Sequence, residues 1–133
     1  MRVAGSDIDL DATVRAVAIG RIGLGLSYLV TPRLAMKAWP GRSGSTERDE
    51  ALLRMMARHT GGRDIGLGVG ALLAQKHDAP VRGWLEAAML ADVLDAVSIV
   101  FALRHLPRTK AILMLGAALG TAAAGQRLAR AVG

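Results

Sequence analysis

The sequence predicts an all-α protein, a four-helix transmembrane bundle with short loops, on three observations. Hydrophobic residues make up 52% of the chain and its mean hydropathy is +0.34, both high for a domain dissolved in water. Aromatic residues make up only 3%, so the apolar mass is Ala, Leu, Val, Ile and Gly. A water-soluble core of this size is ordinarily filled by large rings, whereas lipid solvates an Ala/Leu surface directly. Four apolar segments of roughly 17–23 residues, about the length that crosses a bilayer, are separated by short polar turns. The length of 133 residues suits one domain, 1–133. A soluble four-helix bundle is the alternative. It would carry a polar face along every helix, and the fourth segment has none.

The first helix is expected at about 12–30. Asp11 is placed to cap it, its carboxylate accepting from free N–H groups of the first turn. Asp7, Asp9 and Asp11 stand where a cleavable signal would be positive, so this helix is expected to stay as an anchor. Thr31-Pro32 ends it, because proline lacks an N–H and disfavours helix in the residue before it. Arg33–Trp39 reads as a short amphipathic piece at the membrane surface, with Leu34, Met36 and Trp39 dipping in. Pro40-Gly41 turns the chain into a polar loop.

The second helix is expected at about 47–75, with Thr46 and Asp49 as its capping box. Gly61-Gly62 is expected to kink or break it. Gly62, Gly66 and Gly70 recur every four residues and share a face. Such a stripe lets another helix backbone come close in a membrane. The third helix is expected at about 84–103, with Trp84 at an interface, and the fourth at about 111–129, with Gly116 and Gly120 as a second stripe. A homo-oligomer through the glycine-striped helices is one expected partnership.

Composition also narrows function. The absence of cysteine excludes disulfides, thiolate catalysis and Cys-ligated metals. The net charge is +6 and the pI about 11.0, but the basic residues are scattered over loops and ends. With few rings to stack on bases, no nucleic-acid partner is expected. Loop charge instead orients a multi-pass protein of the plasma membrane, with a weak bias placing both termini outside. Membrane lipid is the expected partner.

Charges inside the apolar segments are the candidate site. A charge at the bilayer centre costs at least ~3 kcal/mol, so it must pair or meet water. Arg21 is central in the first helix, Arg63 lies in the second, and Asp92 and Asp95 straddle the centre of the third. Asp92 and Asp95 are three apart and share a face. Two arginines facing two aspartates make the simplest neutral cluster. Asp64 lies about 100° round the helix from Arg63 and is expected to point elsewhere. His59, one turn before Arg63, is a further candidate for the polar centre, although a solvated histidine is the plainer reading.

Three uses suit this constellation. It is a structural clamp, or it binds a lipophilic small molecule, with Arg21, Arg63, Asp64 and His59 as binding groups. Alternatively, Asp92 and Asp95 are an acid/base pair that opens an epoxide, cyclises or isomerises a lipophilic substrate. Proton-coupled transport is the third. No cofactor is expected. His59, His77 and His105 lack metal-ligand spacing, and Ser27, Tyr28 and Ser98 have no base beside them in sequence. The glycines at 66, 68 and 70 follow no strand, which argues against a nucleotide loop.

Arg21 and Gly25, Pro32, the run Gly62-Arg63-Asp64-Ile65-Gly66-Leu67-Gly68, Trp84, and Ala91-Asp92 with Asp95 together resemble a family of small bacterial integral membrane proteins of unknown function. The resemblance covers most of the chain from Arg15 to about Gly120. It implies four membrane helices and no assigned substrate, cofactor or catalytic residue. The chain is less similar to the small multidrug exporters, which keep an acidic residue where this chain has Arg21.

Overall fold

The computed structural model describes residues 9–38 and 46–133; Trp39 and the Pro40-Gly41 turn lie outside the described residues. The protein is all-α. Four long helices, α1 (Leu10–Val30), α3 (Glu47–Lys76), α4 (Arg82–Ala102) and α5 (Arg108–Val132), are joined by the short α2 (Pro32–Ala35) and by 3-10 turns at Met36–Ala38 and Leu103–His105. No strand occurs among the described residues.

Local chemistry sets the ends. Asp9, not Asp11, caps α1: its carboxylate accepts from the N–H groups of Asp11 at 3.1 Å and Ala12 at 3.2 Å. The helix therefore starts two residues earlier than expected. Thr46 caps α3 by accepting from the Asp49 N–H at 3.1 Å, and Glu47, Asp49 and Glu50 in the first turn favour the positive end of the helix dipole. Gly61-Gly62 does not break α3, which runs for 30 residues without interruption. Glycine is only a weak helix former, and packing against α1 outweighs that deficit.

α3 ends in a Schellman motif, with the Ala79 N–H donating to the Ala74 carbonyl at 2.8 Å and the Asp78 N–H to Gln75 at 3.3 Å. Asp78 takes the left-handed conformation there, φ 52°. Glycine ordinarily fills this position, and a side chain adds strain. Asp78→Gly is therefore expected to stabilise the fold by about 0.5–1 kcal/mol, read as a higher melting temperature. An unchanged or lower one would mean that the Asp78 side chain contributes a compensating bond.

α1 runs antiparallel to α3, and α4 packs mainly on α5. The α1–α3 seam is narrow enough for backbones to touch. A Cβ on Gly25 would sit 2.5 Å from the Gly61 carbonyl oxygen, one on Gly61 2.5 Å from that of Gly25, and one on Gly68 2.6 Å from that of Ala18. The close-approach glycines are thus Gly61 and Gly68, seven apart, and not the stripe at 62, 66 and 70. Gly62 and Gly66 face open space, as do Gly116 and Gly120, and Gly70 lies beneath the ring of Trp84. Both spacings keep residues on a common face; which face meets α1 depends on how α3 is rotated.

The two pairs meet along α3 and α4, and again where the start of α1, the start of α4 and the end of α5 converge. Leu10, Val14, Leu85, Leu128 and Ala129 form a buried apolar cluster there. Elsewhere the distribution of size is inverted. Apart from those residues and Pro32, the buried apolar side chains among the described residues are alanines, while Leu24, Val30, Leu94, Phe101, Ile112 and Leu113 are exposed, Phe101 at 81% and Val30 at 72%. Two helices, α1 and α5, are long and apolar enough to cross a membrane. α4 is similarly apolar but contains Glu86, Asp92 and Asp95, and the first half of α3 is rich in charge.

Candidate functional site

The central charges of α1, α3 and α4 come together in one chain of ion pairs. Arg21 stands near the middle of α1, and Asp92 midway along α4. The Arg21 guanidinium donates through Nη1 to Asp64 Oδ1 at 3.1 Å and through Nη2 to Asp92 Oδ2, with a longer bond from Nη2 to the Ala88 carbonyl at 3.5 Å. Arg63 forks onto Asp95, Nη1 to Oδ1 and Nη2 to Oδ2, each at 2.8 Å. Its Nη2 also donates to Asp64 Oδ1 at 3.3 Å. The order is Asp92, Arg21, Asp64, Arg63, Asp95, so α1, α3 and α4 are linked in register.

Asp64 is therefore the bridge between the two arginines, contrary to the expectation that it points elsewhere. It lies on α3 between the two guanidiniums and is buried, with 3% exposure. Arg63, its neighbour, reaches the same point because its long side chain swings back across the helix surface. The available signal was that a carboxylate in an apolar segment must find a cation. The neutral square of two arginines and two aspartates is likewise corrected: three carboxylates face two guanidiniums. The network is neutral when it holds one proton.

Burial is graded along the chain. Asp64 and Asp92 are buried, whereas the Arg63 side chain is 31% and that of Asp95 44% exposed. Arg63 Nε is nonetheless buried and has no hydrogen-bond partner among the described residues. One end of the network is thus closed and the other opens at the α3–α4 edge. His59 is exposed and makes no bond to it. Ser27 and Ser98 donate to carbonyls of their own helices, Leu24 at 2.6 Å and Leu94 at 2.8 Å, so their hydroxyls are committed locally. Among the described residues no His/Asp/Glu group has an arrangement suited to a metal ion; the three aspartates are occupied by arginine.

The arrangement does two things chemically. It holds three helices in register by charge-assisted bonds, and it presents a carboxylate–guanidinium pair at an open edge. No protein-family model, curated protein or solved structure matches the chain.

Proposed function

We propose that this is a small multi-pass protein of the plasma membrane, crossing it four times, in which the Arg/Asp network is an internal clamp for α1, α3 and α4. The observation that carries the reading is the joint placement of five charges near mid-length of helices whose large apolar side chains point outward and whose small ones point inward. In water that inversion would expose an apolar surface far larger than a monomer tolerates. In lipid it is the expected arrangement, since small residues let helices approach and charges pair inside. The clamp is favoured over a catalytic pocket because the guanidiniums contact the carboxylates directly. The open faces at Gly62 and Gly66, and at Gly116 and Gly120, are where a second copy would pack closely.

The test is extraction. The protein is expected in the membrane fraction, released by detergent and not by high salt or alkaline carbonate. Recovery as a monomer in the soluble fraction without detergent would overturn the reading.

A second reading rests on the open edge. Asp95 is half-exposed, and the network carries one carboxylate beyond its arginines, which suits proton exchange or an acid/base step with a lipophilic molecule at the α3–α4 edge. Asp95→Asn should then leave stability nearly unchanged and abolish proton uptake or ligand retention. Retention of both would leave the clamp alone.

A further inference from the structure

A separate cluster of cations stands at the other end of the α1–α3 seam, and nothing in the clamp uses it. The end of α1, the start of α2 and the first half of α3 border an open groove of about 510 Å³, lined among others by Val30, Thr31, Leu34, Arg33, Arg54 and Arg58. Three guanidiniums therefore border one space. Arg54 is paired with Glu50 at 3.1 Å. Among the described residues Arg58 donates only to the Leu29 carbonyl, at 3.4 Å, and Arg33 has no ion pair. Two positive charges are thus without a carboxylate among the described residues. Their neighbours are a hydroxyl, Thr31, and apolar walls from Val30, which is 72% exposed, and Leu34, at 63%.

Depth matters as much as charge. Val30 lies nine residues beyond Arg21, about 14 Å along the helix. Arg54 lies ten residues before Asp64, about 15 Å along α3. Half the hydrocarbon thickness of a bilayer is also about 15 Å. With the network at the midplane, the mouth of the groove at Val30 and Arg54 falls at the headgroup level, and Arg58, about 9 Å along α3 from Asp64, reaches toward it with its side chain, bonded to the Leu29 carbonyl.

We infer that this groove binds a phosphate group, through Arg33 and Arg58 with Arg54 beside them, and that the phosphate is that of an anionic phospholipid. Guanidinium forks match phosphate oxygens in geometry and charge, and basic pockets between helices near the membrane surface recognise such headgroups. The lipid source rests on the membrane reading; recognition of phosphate itself does not.

The experiment is native mass spectrometry of the protein in non-ionic detergent, with added phosphatidylglycerol, phosphatidylcholine or inorganic phosphate. Phosphatidylglycerol is expected to be retained over phosphatidylcholine. An arginine close to an anionic headgroup is worth about fivefold in affinity. Arg33→Gln, which breaks no bond among the described residues, should therefore lower retention about fivefold, and Arg33→Gln with Arg58→Gln roughly 25-fold. Arg104→Gln with Arg108→Gln, at the α4–α5 turn, should bind as the wild type does. If inorganic phosphate is held as firmly as the lipid and with the same arginine dependence, the groove is a phosphate site filled from solution. Equal retention of both lipids with no phosphate bound, or full retention in the Arg33→Gln protein, overturns the inference. A detergent-independent protein that still binds phosphate through Arg33 would sink the membrane reading alone, and a detergent-dependent one without headgroup preference would sink this inference alone.

Discussion

Arg21→Gln is expected to be the most damaging single substitution in the network, destabilising the fold by ~3–5 kcal/mol, the scale for a buried pair that loses one partner. It leaves Asp92 without a cation and Asp64 with only the longer bond from Arg63, although both aspartates are buried. The aspartates behave differently. With three carboxylates and two arginines, each of Asp64→Asn, Asp92→Asn and Asp95→Asn leaves every guanidinium with an ionised partner. Each should therefore cost about 1 kcal/mol, the scale of one hydrogen bond. Had Asp92 been the sole partner of Arg21, its loss would match that of the arginine. Combining Arg21→Gln with Asp92→Asn should recover part of the loss, because the stranded carboxylate is gone. Thermal unfolding in detergent measures all five proteins. Arg21→Gln as stable as wild type, or any single aspartate change worse than Arg21→Gln, contradicts the network as described.

Gly61→Ala and Gly62→Ala differ by one position and should differ in sign. At Gly61 the new methyl meets the Gly25 carbonyl oxygen at 2.5 Å and Tyr28 Cβ at 3.0 Å. The obstacle is backbone and cannot rotate away, so α1 and α3 must separate. Overpacking of this kind costs ~1–3 kcal/mol. At Gly62 nothing lies within 4 Å, and alanine is the better helix former by up to ~1 kcal/mol. Gly61→Ala should lower the melting temperature, and Gly62→Ala should hold or raise it. The reverse order would place the seam on the face that the four-residue spacing suggests. A loss at both positions that depends on protein concentration would mean that Gly62 sits in contact with a second copy.

Much of this architecture was legible in the chain. Pro32, the Thr46 cap and the polar turns mark the helices, because backbone chemistry at the ends is local. Arg21, Arg63, Asp92 and Asp95 were legible as a cluster because charge in an apolar segment needs a partner at the same depth. The role of Asp64 was not. Whether Arg63 or Asp64 faces the interior depends on the rotation of α3, and that is decided by contact with α1 at Gly61 and Gly68. The same rotation turns Gly62 and Gly66 outward, and His59 with them. Side-chain length adds to the ambiguity, since Arg63 reaches the interior from a flank where a shorter residue would not. Asp9 took the cap from Asp11 because two carboxylates two residues apart both satisfy the sequence pattern, and only one meets the first free N–H groups.

The order in which the partners of Arg21 appear has a consequence for how the chain is made. Asp64 follows Arg21 by 43 residues and Asp92 by 71. During synthesis α1 is complete long before any acid that neutralises its arginine has left the ribosome. If the chain enters a bilayer, α1 cannot settle there alone without carrying an unpaired charge, which costs at least ~3 kcal/mol. It must wait at the insertion machinery or in contact with water until α3 arrives, and the arginine is fully matched only with α4. Insertion of the first three long helices is then a single committed event, since a nascent protein stopped between Asp64 and Asp92 has two arginines sharing one carboxylate.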